Sequence, residues 1–414
     1  MRKFTRSIAA LAVISLFAVA CGDDNGDDTA GDPTAVENDD TGDGDIDEGD
    51  ADDGDADDQD TGDEDAGDEE AEVSDDLGGD AVGVDAGAAD LLGAGATFIT
   101  PLMLEWIRDN EPGISVNYQS IGSGGGITQF LEETVDFGST ERYLTDEEVA
   151  DAEEIRGCPA IHIPDAFGGV VPAFNNEDVD AALEAAGQDS LILSGEVLAD
   201  IYLGNITDWD DAAIADLNPD VELPGGDIIP VHRSDGSGTT YIFVRYLADI
   251  SAEWDDQVGF GSEVDWPAGI GGNGNEGVSA ELQQQPGTIG YLSIAYAIEN
   301  DIAMTSVINA DDNAVYPTVE SVTAGPETII DTIPEDFRYD ILDVGGDGFP
   351  IVGTHWILAW ECGYDDDVAQ SLQDFLTWAV TEGDDLAEDL LYSPVTGDFE
   401  DRVLGEIERI NASN

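Results

Sequence analysis

Arg233-Ser234-Asp235-Gly236-Ser237-Gly238-Thr239-Thr240 is the stretch on which the reading of this chain turns. The residues before it, Ile228 to His232, read as a strand. The residues after it carry Ile242, Phe243, Tyr246 and Leu247, which share one face of a helix. Glycines and hydroxyls therefore stand where a helix begins. Backbone N–H groups there lack intrahelical partners, and the helix dipole is positive. Such ends bind anions. Glycine lets the backbone come close, and Ser or Thr hydroxyls add donors. Arg233 and Asp235 add a guanidinium and a carboxylate to the same turn.

Two earlier segments have the same construction. Gly93-Ala94-Gly95-Ala96-Thr97-Phe98 precedes Thr100-Pro101, which has the form of an N-cap with proline at the first helical position. Leu102, Met103, Trp106 and Ile107 then mark the helix face. Gly122-Ser123-Gly124-Gly125-Gly126 precedes Ile127, Phe130, Leu131 and Thr134. Any one such turn is explained by helix capping alone. Three in one chain, one bearing an Arg and an Asp, point to a shared anion. Nucleotide motifs do not fit. Phe98 stands where a dinucleotide fingerprint needs its third glycine, and no Gly-Lys-Ser/Thr is present for a P-loop.

Further strands are expected at Ile114 to Tyr118, Gly169 to Phe174 and Trp356 to Trp360. Thr145 and Glu148 have capping-box spacing for another helix. Strands alternating with helices predict an α/β fold.

The N-terminus is read separately. Arg2, Lys3 and Arg6 precede an apolar run from Ile8 to Ala20 that is too short to span a bilayer. Small residues then lead into Cys21, as in a lipoprotein signal spanning 1–21. Cys21 is the expected lipidation site, the alternative being an ordinary cleaved signal with an incidental cysteine, and the expected location is extracytoplasmic, on the outer face of the cell membrane or in the periplasm. From 22 to 90 there are 31 Asp or Glu, no Lys or Arg and no aromatics. A stretch that can bury so little predicts a disordered, self-repelling tether.

Residues 91–414 carry 64 acidic residues against eight arginines, a formal charge of −56. No basic stripe exists for nucleic acid. Cys158 and Cys362 either pair in an oxidising compartment or stay as two buried thiols. His162, His232 and His355 lack metal-ligand spacing and read as core or rim histidines. No metal or other cofactor is expected. Trp106, Trp209 and Trp266 read as packing, and Arg142 as a helix-start charge.

The segments GAGATF (93–98), VNYQSIGSGGG (116–126), TVDFGST (134–140), GGVVPAFN (168–175), LADIYLGNITDWDD (198–211), DGSGTT (235–240), GGNGNEG (271–277) and PGTIGYLSIAYA (286–297) occur in this order. On them, 91–414 resembles the periplasmic phosphate-binding proteins of ABC importers. The resemblance implies a two-domain, type II periplasmic-binding-protein fold with a hinge and the ligand in the interdomain cleft. Domain I would be 91–172 plus 317–414, and domain II would be 173–316. The implied phosphate ligands are Thr97, Phe98 through its backbone, Ser123, Arg233, Asp235 as the residue fixing that Arg, Ser237, Gly238 and Thr239. Glu141 stands where the family carries an Asp that accepts the proton of hydrogen phosphate. The implied partners are inorganic phosphate and the permease subunits of the importer, with the protein acting as a monomer.

Other readings share these features. Sulfate, molybdate or arsenate could replace phosphate on the same fold. A secreted phosphatase would need a metal pair or a nucleophile beside a base, and neither Ser123 nor Ser237 has a His in its motif. A sensor or adhesin that lost its ligand would have no reason to keep Arg233 and Asp235 together.

The −56 charge leads to the hypothesis that folding depends on ionic strength. Like charges repel in dilute salt, and the Debye length falls to about 3 Å at molar salt. Melting temperature is expected to climb steeply from dilute to molar KCl. A flat curve would show that local packing alone offsets the repulsion.

Overall fold

The computed structural model describes residues 89–411. The signal 1–21, Cys21 and nearly all of the acidic stretch 22–90 lie outside the described residues. Strands and helices alternate as the sequence predicts, and the chain is α/β.

The centre is one strand, Ala160–Asn175, sixteen residues long and apolar enough to be buried along almost its whole length. Its first part pairs antiparallel with Val352–Trp360, from Ala160↔Trp360 to Gly169↔Val352. Its last part pairs antiparallel with Thr288–Ser293, from Val170↔Ser293 to Asn175↔Thr288. One sheet thus continues on both sides. Beyond Val352–Trp360 come Phe137–Thr140, Leu91–Gly95 and Val116–Ser120. Beyond Thr288–Ser293 come Ile229–Arg233 and Ile270–Gly272. Within each flank these strands are parallel: Leu91–Gly95 to both of its neighbours, and Ile229–Arg233 to both of its own. Parallel strands joined through helices leave their C-terminal ends on one edge, where loops form ligand crevices.

The local expectations hold with adjustments at element ends: the strand expected at Ile114 to Tyr118 runs Val116–Ser120, the one expected at Trp356 to Trp360 starts at Val352, and others follow. The Thr145 capping box forms on helix Asp146–Arg156, with both reciprocal bonds present. Thr100, expected as an N-cap, is instead the first residue of helix Thr100–Asp109, whose N-cap is Ile99. Its hydroxyl is engaged elsewhere, with the Ala96 carbonyl at 3.2 Å and Ser120 Oγ at 2.7 Å. Helix Ser123–Leu131 ends before Thr134, whose hydroxyl donates to the Gln129 carbonyl. The strand expected at Gly169 to Phe174 begins earlier, at Ala160, because Pro164 falls beside a bulge and does not end it.

Cys158 and Cys362 form a disulfide with Cα atoms 6.1 Å apart. It ties the start of the central strand to the end of Val352–Trp360, closing a separation of 204 residues. Trp106, Trp209, Trp254, Trp356 and Trp360 are fully buried packing residues. Among the described residues, seven of the eight arginines pair with carboxylates, Arg142 with Glu148 among them. Arg402 instead donates to the Ile333 and Pro334 carbonyls and lies over Phe337 and Phe399. The remaining carboxylates therefore have no arginine left to meet. No helix among the described residues is long and apolar enough to cross a membrane.

Candidate functional site

Each of the three turns follows the C-terminal end of a parallel strand. Thr97 and Phe98 follow Leu91–Gly95, Ser123 follows Val116–Ser120, and Ser237 to Thr239 follow Ile229–Arg233. The fold points all three helix starts at one place. Ser123 Oγ accepts from the Gly238 N–H at 3.0 Å, and the Gly124 N–H donates to the Gly236 carbonyl at 2.9 Å. Turns far apart in sequence are thus in direct contact.

Glycine is required at two positions here. Gly122 has φ +86, and a Cβ on it would lie 2.6 Å from Asp235 Oδ2. A Cβ on Gly238 would lie 2.2 Å from Glu141 Oε2 and 2.6 Å from Ser123 Oγ. A side chain at either position would force the turns apart.

Arg233 is 3% exposed. Its Nε donates to Asp235 Oδ1 at 2.8 Å, its Nη2 to Asp235 Oδ2, and its Nη1 to Thr239 Oγ1 at 3.3 Å. Burial pushes Asp235 upward, but the hydrogen bonds and charge of Arg233 hold it below the usual carboxylate range. Ser237 caps helix Gly238–Ile250 by accepting from the Thr240 N–H at 3.0 Å. Phe98 is fully buried edge-on against Tyr392, and its carbonyl accepts the Tyr392 hydroxyl. All nine residues expected from the sequence fall in this neighbourhood.

Glu141 closes the floor, directly after strand Phe137–Thr140, at 2% exposure. Oε2 accepts from Ser123 Oγ at 2.9 Å, while Oε1 has no hydrogen-bond partner. Burial pushes the carboxyl up from 4.5 to about 7, against the opposing pull of His355, Ser123 and Arg233.

Three participants were missed in the sequence. Asn275, fully buried at the start of helix Gly274–Gln284, donates Nδ2 to Thr97 Oγ1 at 2.8 Å and to Thr239 Oγ1 at 3.0 Å. Its Oδ1 accepts from the Ser293 N–H at 3.0 Å. It links the first turn to the third. Its signal was present in GGNGNEG (271–277), a fourth glycine-rich helix start. The other two are Asp165 and His355, which no local pattern marks.

Ser139, His355 and Asp165 form a buried row. His355 Nε2 is 2.6 Å from Ser139 Oγ, and Nδ1 is 2.5 Å from Asp165 Oδ1. The row has the order of nucleophile, base and acid, but its protons run the wrong way. The Ala96 carbonyl can only accept, so the Tyr118 hydroxyl 2.7 Å away donates to it. Tyr118 then accepts from Ser139 Oγ at 2.8 Å. Ser139, its proton spent, accepts from His355 Nε2. A serine nucleophile needs the reverse, a base that takes its proton. His162 is a buried acceptor for the Leu144 N–H, and His232 stacks on Trp266. Among the described residues, no group of three or more His, Cys, Asp or Glu could hold a metal ion.

The buried carboxyl makes a stability prediction. Unfolded, Glu141 ionises near 4.5, and folded near 7, so the folded state holds the proton more tightly. Stability from this group is full below about pH 4.5 and is lost as pH rises through 7, by about 3 kcal/mol. Glu141→Gln keeps the shape and removes the titration. Its melting temperature relative to the parent is expected to rise between those two pH values. A constant difference would mean that Glu141 ionises normally.

The chain is similar to known proteins in sequence and in fold. Residues 66–382 match the family model described as a PBP superfamily domain. The phosphate-binding protein PstS of Xylella fastidiosa is 42% identical over 306 residues, covering 73% of this chain and 80% of that protein. The phosphate-binding protein PstS of Pasteurella multocida is 38% identical over 311 residues, covering 74% and 87%. The crystal structure of a phosphate-binding protein from Stenotrophomonas maltophilia superposes with a TM-score of 0.57 at 18% identity, covering 77% of this chain and 94% of that one. The fold is that of the periplasmic binding proteins, and the chain belongs to the PBP superfamily and, within it, to the phosphate-binding protein family of these relatives.

Proposed function

We propose that this protein captures inorganic phosphate outside the cytoplasm and hands it to the permease subunits of an ABC importer. The observation that carries the reading is Glu141 Oε1, a buried acceptor with no partner, set among three helix starts and one arginine. A buried carboxylate oxygen needs a donor, and hydrogen phosphate brings one on its P–OH. Sulfate brings none, and would leave the acceptor unpaired with like charges opposed.

The proposed ligands are Thr97, Phe98, Ser123, Glu141, Arg233, Ser237, Gly238 and Thr239, with Asp235 holding Arg233. Their convergence supports this assignment. Arg233 is already neutralised by Asp235, so backbone and hydroxyl dipoles must carry much of the anion's charge. Charge-assisted hydrogen bonds contribute about 1.5–3 kcal/mol each, so several suffice for a micromolar site at about −8 kcal/mol. The proposed lobes are 91–172 plus 317–414 and 173–316, with the cleft between them. The protein is proposed to bind phosphate and not to hydrolyse its esters, which the proton direction at Ser139 supports. Turnover of a phosphate monoester would overturn that part.

Calorimetric titration tests the ligand. Phosphate is expected to bind at about micromolar or tighter. Sulfate is expected to bind at least about a hundredfold more weakly. Arg233→Ala is expected to weaken both together, because it removes charge without touching the proton test. Glu141→Gln is expected to narrow the ratio. Equal affinity of the parent for both anions would remove the reading.

The tether is also a proposal, motivated by the basic start, the short apolar run and Cys21. The protein is read as a lipid-anchored monomer. The parent is expected in the membrane fraction and Cys21→Ser in the soluble fraction or unprocessed. Identical fractionation would argue for a plain cleaved signal, and a dimer mass by light scattering would remove the monomer.

A further inference from the structure

Asp165 occupies a bulge. His355 pairs with Ala166 and Trp356 with Pro164, which leaves Asp165 as an extra residue in the central strand. A bulge re-aims a side chain, and this one faces His355 Nδ1 at 2.5 Å with both side chains fully buried. On the other side of the ring, Nε2 lies 3.9 Å from Glu141 Oε1, the oxygen without a partner. The run of protons from His355 through Ser139 and Tyr118 to the Ala96 carbonyl requires a hydrogen on Nε2. The remaining proton of the pair lies on Nδ1 or on Asp165. In the first case the ring is an imidazolium beside a carboxylate, and its charge then stands 3.9 Å from Glu141 Oε1 while the Nε2 hydrogen goes to Ser139 Oγ.

We propose that the Asp165–His355 pair determines the specificity of the site by setting the His355 ring, as the positive end of a buried pair, 3.9 Å from Glu141, which keeps that carboxyl an acceptor and makes the site demand a protonated oxyanion. The inference rests on the phosphate-binding reading above. His355 is a positioning residue, since it reaches the ligand only through Glu141.

Other groups around Glu141 do not do the same work. Arg233 faces it from the third turn with its charge tied to Asp235, and Ser123 donates a neutral hydroxyl. Asp165 opposes its ionisation, and Tyr118 and Tyr392 stand in the same buried field. Burial is the largest influence on Glu141 and pushes it up, while His355 heads those that draw it back. Burial alone would lower His355, but the Asp165 carboxylate raises it above the ordinary histidine range.

Sulfate provides the probe, because it carries no titrating proton near neutral pH. Its affinity for the parent is expected to fall as pH rises and Glu141 ionises. His355→Gln keeps an N–H and removes the ring's charge. The midpoint of the sulfate profile is then expected to move up by about 1–3 pH units. The phosphate-to-sulfate ratio at pH 7.5 is expected to fall by about tenfold or more. In the Glu141→Gln background the same substitution is expected to move neither quantity. If both anions weaken in parallel with an unmoved midpoint, His355 is only structural and the proposal falls. If His355→Gln does not fold, nitrogen-15 NMR of the parent decides: both ring nitrogens of His355 are expected to be protonated, and a ring with one bare nitrogen overturns the proposal. A parent that does not bind phosphate at all removes the binding reading as well, whereas selective binding with an unmoved midpoint removes this inference alone.

Discussion

The pairing of Ala160–Asn175 with Val352–Trp360 along one stretch and with Thr288–Ser293 along the next is the constraint from which the site follows. One strand gives register to two flanks of parallel strands. Each flank must then present its strand C-termini, with their following helix starts, towards the other. Contacts such as Gly124 to Gly236 and Asn275 to Thr97 join turns that lie more than a hundred residues apart in the chain. They form because the central strand has already placed both flanks. The disulfide between Cys158 and Cys362 reinforces the same place, at the edge where the central strand meets its longest partner.

An anion site in so acidic a chain is a matter of local dipoles, not of net charge. Arginine is the only basic residue type in the fold apart from histidine, and nearly all of the arginines are spent on nearby carboxylates. Only Arg233 is brought to the turns, and it arrives already neutralised by Asp235. Helix N-termini, backbone N–H groups and hydroxyls supply what remains, and these are insensitive to how many carboxylates stand on the surface. A strongly acidic chain and an interior suited to an oxyanion can therefore coexist.

Glu141 shows what burial costs at a proposed ligand position. Burial raises the proton affinity of its carboxyl. Ser123 places a donor on one of its oxygens, and the His355 ring stands 3.9 Å from the other. A buried group that is strained when alone and satisfied by a ligand is a common form of stored strain at binding sites. The Asp165 bulge belongs to the same arrangement, because a regular strand would have aimed that carboxylate elsewhere.

The sequence by itself determined the α/β class, because strand and helix periods are local. It also determined the three glycine and hydroxyl turns, because helix starts are written in short segments. Arg233 with Asp235 was legible for the same reason, whereas Glu141 was implied only by the family resemblance. The ends of elements were less so: Thr100 was drawn from the capping position by Ser120, a neighbour twenty residues away. The tertiary structure alone decided that Cys158 meets Cys362, that Asn275 bridges Thr97 and Thr239, and that His355 stands between Asp165 and Glu141. Each of these is a meeting of side chains from distant strands, fixed by sheet register and by one bulge, and register is a property of paired strands that no single segment carries.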